Sequence, residues 1–172
     1  MLARIFATFA FLFAFATPAF AEVKIATVDF QRALNEVAEG ASARARLESM
    51  YSEKKAAIEK MGKDLEAKGL EFQKQAVILS DAARKQKEEE LYAEQMRFQS
   101  AYQRSEGEMQ QAYMGAMETL ISKMRTLAGT IGQEKGYTLV VEINEGGVVW
   151  ASSSVDITAE LIKRYNAANP AK

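Results

Sequence analysis

Residues 113–131 read YMGAMETLISKMRTLAGTI, and their apolar members Tyr113, Met117, Leu120, Met124, Leu127 and Ile131 recur in alternating steps of four and three. That interval is the seam of one helix lying along another. Upstream the same face continues more sparsely through Leu91, Phe98, Tyr102 and Met109, with no proline between Ala82 and Glu134. The spacing predicts one helix over residues 82–134, about 80 Å long at ~1.5 Å per residue. Gly136 is placed to cap its end.

Before this helix lies a second, weaker pattern. Tyr51, Ile58, Leu65, Phe72 and Leu79 fall seven residues apart, but the companion positions Lys54, Met61, Lys68 and Gln75 are mostly polar. A strong coiled coil needs both positions apolar. Residues 42–79 therefore read as a helix of about 57 Å with a thin apolar stripe, tolerating Gly62 and Gly69. Ser80 or Asp81 can cap the next helix. So short a connection makes the two helices antiparallel, an arm over residues 42–135 with its tip near 78–83. The stripe is sparse toward Leu79 and dense toward Ile131, so the arm should be loose at its tip and packed at its root.

The flanks have a different character. Residues 23–29, VKIATVD, are β-branched and partly alternating, which predicts a strand. Asp29 can cap a short helix from Phe30 to Val37, which Gly40 would end. After Gly136, residues 137–143, YTLVVEI, and 148–151, VVWA, read as two strands of a hairpin around the turn Asn144-Glu145-Gly146-Gly147. Asp156 or Thr158 can cap a last helix whose apolar side is Leu161, Ile162 and Tyr165. The fold class is α+β, mainly α: a helical arm on a small β body made of residues 22–41 and 136–172. Three short strands leave unpaired edges. Sharing strands between copies would cover them, with Ile25, Val28, Leu139, Val141, Val149 and Trp150 as candidate residues of an oligomeric body.

Residues 1–21 stand apart. Arg4, the apolar run 5–16 and the small-residue site Ala19-Phe20-Ala21 form a secretory signal peptide. The run of about twelve residues is too short to cross a bilayer. The exported chain is expected in the periplasm or outside the cell. It contains no cysteine and no histidine, which removes disulfides, thiolate nucleophiles, the commonest general base and the commonest metal ligand. Glu142 and Glu145 have no partner at a spacing that suggests acid–base work. No catalytic, cofactor-binding or metal-binding residue is assigned, and an enzyme is not expected. A net charge of −1 gives no reason to expect nucleic acid as a partner.

Methionine is concentrated on the two long helices, at Met50, Met61, Met96, Met109, Met114, Met117 and Met124. Its unbranched, polarizable side chain adapts to apolar partners of different shape. Tyr92, Met96 and Met114 lie off the packing stripe, and with Met61 and Phe72 they are the candidates for binding a partner.

The order of these features resembles the Skp/OmpH family of periplasmic chaperones. Lys24-Ile25-Ala26-Thr27-Val28-Asp29, then Leu34 and Glu39-Gly40, is similar to that family's first strand, short helix and glycine. Leu139-Val140-Val141, then residues 155–161, VDITAEL, is similar to its later strand and last helix start. The resemblance covers essentially all of residues 22–172. It implies a homotrimer whose strands form one body and whose helical arms surround a cavity. There, unfolded outer-membrane β-barrel proteins would be held from aggregation before insertion. It also implies a periplasmic location and no nucleotide, and no P-loop sequence is present. Family members often have basic tips suited to lipopolysaccharide. Here Lys74, Arg84, Lys85 and Lys87 are opposed by Glu71, Asp81, Glu88, Glu89 and Glu90, which reads as a solvated helix face. The competing expectation is a cell-envelope coiled-coil scaffold whose apolar stripes are all consumed by packing.

Overall fold

A computed structural model describes residues 23–170 of the chain. The signal-peptide reading of residues 1–21 lies outside them. Strand β1 (Ile25–Val28) leads into helix α1 (Phe30–Glu36). Two long helices follow, α2 (Ala38–Gln75) and α3 (Asp81–Glu134), then strand β2 (Leu139–Glu142), a 3-10 turn (Ser153–Val155) and helix α4 (Thr158–Ala168).

Local signals set most boundaries. Asp29 Oδ1 accepts from Arg32 N at 2.8 Å and starts α1. Ser80 Oγ accepts from Ala83 N at 3.3 Å and starts α3. At the far end of α3, Gly136 takes φ +68°. Tyr137 N then reaches Gly132 O at 2.9 Å and Gly136 N reaches Gln133 O at 3.2 Å. This left-handed closure satisfies the last carbonyls and is open to glycine at little steric cost. Asp156 Oδ1 accepts from Thr158 N at 2.8 Å at the start of α4.

Two readings of the flanks are corrected. The expected hairpin of residues 137–143 with 148–151 does not form among the described residues. Instead β2 pairs with β1 in parallel, Ile25 opposite Leu139 through Val28 opposite Glu142. The pairing is reached by a long crossover through α1, α2 and α3, which brings the chain back beside β1. After β2, Gly146 N closes onto Glu142 O at 2.8 Å and Gly147 turns at φ +66°, and residues 148–151 form no strand. The other side of β1 takes an isolated parallel bridge, Thr27 to Asp156, with Ile157 N donating to Thr27 O at 2.9 Å.

The second correction concerns Gly40, which caps nothing. The break between α1 and α2 is Val37, held extended at ψ 143°, and Gly40 is buried inside α2. A Cβ there would lie 2.2 Å from Leu34 O, so the glycine permits the close approach of α2 to the end of α1.

The core sits at the root of the arm. Val28, Ala33, Leu34 and Val37 meet Leu120, Met124 and Ile131 of α3, and Ile157, Leu161 and Tyr165 close it from the last segment. The dense end of the 113–131 stripe is thus the part consumed by packing. Val28, 1% exposed within one chain, is part of this core.

Candidate functional site

Between Arg44 and Thr119 no residue of the arm is buried. α2 and α3 run side by side over that length with half-buried residues along the seam, among them Ile58, Leu65, Phe72, Leu91, Phe98 and Met109. Gly62 lies under the Phe98 ring, which would be 3.6 Å from an added Cβ, an ordinary contact. The register is held by ion pairs across the seam. Lys54 pairs with Glu108, Lys68 Nζ stands 3.0 Å from Glu94 Oε1, and nearer the root Lys123 Nζ stands 2.7 Å from Glu39 Oε1. Hydrogen bonds from Lys54 and Lys68 hold the Glu108 and Glu94 carboxyls below the usual carboxylate range. These pairs are solvent-exposed, so they align the helices more than they stabilise them.

The arm therefore keeps its apolar side chains in contact with water. Tyr92 is 66% exposed, Met96 44% and Met114 62%. Met61 and Phe72 are half-buried. Tyr92 and Met96 are four apart and share a face of α3. Met114 lies farther along the helix, about 27 Å from Met96 at ~1.5 Å per residue, and is not brought to them. Phe72 lies across the seam, beside Leu91 in a shallow cleft of about 300 Å³ rimmed by Lys68, Glu71, Lys87 and Glu94.

Sequence reasoning missed part of this surface. Val77 and Ile78 at the tip are almost fully exposed. The heptad spacing predicts a helix through Leu79, in which they are ordinary helix positions, but α2 ends at Gln75 and leaves them in the turn. Tyr51, Tyr102 and Tyr113 occupy stripe positions yet stay about half exposed.

At the other end of the molecule, Ile25, Leu139, Val149 and Trp150 are exposed, and Val141 is half-buried. β2 pairs only with β1 among the described residues, so its outer edge is open. The Glu142 carboxylate serves structure: it accepts from Phe30 N at 3.3 Å and from Asn144 Nδ2 at 3.1 Å. The described residues contain no group of three or more acidic, histidine or cysteine side chains able to hold a metal ion. None of the described helices is long and apolar enough to cross a membrane.

Comparison with known proteins converges on one family. Proteins named chaperone protein Skp match at low identity. The one from Yersinia enterocolitica is 23% identical over 141 residues, covering 82% of this chain and 85% of its own. The one from Photorhabdus luminescens is 23% identical over 158 residues, covering 92% and 94%. Among solved structures, a chain described as an outer membrane chaperone (OmpH-like) from Caulobacter crescentus CB15 superimposes with a TM-score of 0.78 at 17% identity, over 87% of each chain. That likeness establishes the fold: two long helices beside a small strand pair. The family model described as outer membrane protein (OmpH-like) matches residues 24–165, from the first strand to the last helix, and the chain belongs to that family.

Proposed function

We propose that this protein is a periplasmic holding chaperone, not an enzyme, that binds unfolded outer-membrane β-barrel proteins between helical arms and works without nucleotide or other cofactor. The observation that carries the reading is the arm between Arg44 and Thr119, which buries no residue and exposes Tyr92, Met96, Met114, Val77 and Ile78 to water. Barrel strands alternate apolar and polar residues and cannot hide their apolar faces in water before insertion. Scattered, adaptable contacts on a polar frame can shield such strands without imposing one geometry. Many weak contacts hold a client and still allow release. The names of the relatives, which are chaperones, support the same role.

Assembly as a homotrimer belongs to this reading. It is supported by the open edge of β2 and by the exposure of Ile25, Leu139, Val149 and Trp150, which a neighbouring copy would cover. Charge at the tip gives little reason to add lipopolysaccharide as a partner, since Arg84 stands 3.7 Å from Asp81 and Lys87 3.2 Å from Glu90.

The test is dilution of a urea-unfolded outer-membrane protein into buffer with and without the mature chain. Suppressed light scattering near stoichiometric ratio is expected. Unchanged scattering would leave the scaffold reading in its place.

A further inference from the structure

The seam of the arm opens between Tyr51 and Tyr102. Heptad spacing puts both on the packing stripe, yet they are 57% and 46% exposed. Instead of interlocking they border a cleft of about 580 Å³ whose lining includes half-buried Ile58 and Met109. A continuous knobs-into-holes seam would have filled that space from within.

The lysines at the rim are already paired with carboxylates, and Ser105 and Gln110 add only uncharged polar groups. Lys54 pairs with Glu108, Lys55 Nζ stands 3.9 Å from Glu59 Oε1, and the neighbouring Glu106 carboxylate raises the Tyr102 phenol above its ordinary range. Charges paired in this way offer little net field to an incoming ion, and a charged group set against the Tyr51, Ile58, Tyr102 and Met109 wall would lose hydration without a partner. The cleft therefore favours an uncharged occupant. Two tyrosine rings at its mouth favour an aromatic one, because ring edges and faces attract each other beyond simple area burial.

We infer that the Tyr51–Tyr102 cleft is a discrete subsite for an aromatic side chain carried on an extended, uncharged polypeptide segment. Its occupant in the cell rests on the chaperone reading: barrel strands alternate apolar and polar residues and carry aromatic girdles at both membrane interfaces. The other seam residues would then supply general apolar contact, and this cleft a preference for aromatics.

The experiment measures fluorescence anisotropy of short end-labelled synthetic peptides alternating Ser with Phe, Leu or Glu, added to the mature chain. The Phe peptide is expected to bind tightest, the Leu peptide more weakly and the Glu peptide least. The double variant Y51A/Y102A should weaken the Phe peptide about tenfold, in line with two lost aromatic contacts. The conservative Y51F/Y102F should retain it. Both tyrosines are exposed, so circular dichroism should show the helices intact in each variant. Equal binding of the Phe peptide by the parent and Y51A/Y102A, or no difference among the three peptides, would overturn the subsite. Aggregation assays on the parent decide the chaperone reading separately. A parent that suppresses aggregation but does not discriminate peptides sinks the subsite alone. A parent that discriminates peptides but suppresses nothing keeps the subsite and sinks the chaperone reading.

Discussion

The Tyr165 hydroxyl donates to Glu39 Oε2 at 2.7 Å while Lys123 Nζ holds Oε1 of the same carboxylate. One carboxylate at the start of α2 thus fastens α3 and α4 to it, at the place where the arm leaves the body. Tyr165 is fully buried, and its burial, with the neighbouring Glu39 charge, raises the phenol well above its ordinary range. Removing the hydroxyl by Tyr165→Phe should lower stability by about 1.5–3 kcal/mol, the worth of a hydrogen bond to a charged group. Urea denaturation checks it, and an unchanged midpoint would contradict the placement.

The same carboxylate makes stability pH-dependent. Hydrogen bonds from Lys123 and then Tyr165 hold the Glu39 carboxyl below its usual range in the folded chain. A lowered folded value means the contribution is present above the unfolded carboxylate value and is lost as pH falls through the folded one. Stability should therefore hold above about pH 5 and decline below about pH 4. Lys123→Met should flatten part of that decline in a series of urea melts. An equally steep decline in the variant would show that other carboxylates carry it.

The arm and its root should respond differently to truncation. Leu120 is 2% exposed in the core, and Leu120→Ala should cost about 2–5 kcal/mol. Leu127 is only half-buried against that core, so Leu127→Ala should cost less. At the tip, replacing Val77 and Ile78 together with Ser should leave the thermal midpoint where it is, since both are already in water. The same double variant should suppress aggregation less well than the parent. A large loss of midpoint at the tip, or none at Leu120, would reverse this account of where the fold is held.

Gly40 offers a test of backbone packing. Its added Cβ would sit 2.2 Å from a backbone carbonyl that cannot swing aside. Gly40→Ala should cost about 1–3 kcal/mol despite improving helix propensity. A stabilised variant would mean that α1 and α2 can separate at the Val37 break.

The helical part of this fold was legible because periodicity over dozens of residues outweighs any single position. The 113–131 stripe gave the seam, and Ser80 and Gly136 gave both ends of α3. The strands were less legible. Residues 148–151 have strand composition, but composition does not say which edge will accept a strand, and the edge beside β2 went to β1 across the whole arm. Gly40 is ambiguous for a similar reason: a cap and a close helix approach both call for glycine, and only the position of Leu34 O separates them. At the arm, off-stripe spacing placed Tyr92, Met96 and Met114 in water correctly. The Tyr51–Tyr102 opening was not legible, because stripe position implies burial unless the facing residues fail to fill the seam.

The most direct measurement replaces Met96, Met114 or, as a body control, Lys163 with a photo-crosslinking phenylalanine analogue and adds an unfolded outer-membrane protein before illumination. The account expects adducts from the two arm positions and none from Lys163. Adducts from the body alone, or none at all from a chain that is otherwise folded, would contradict it.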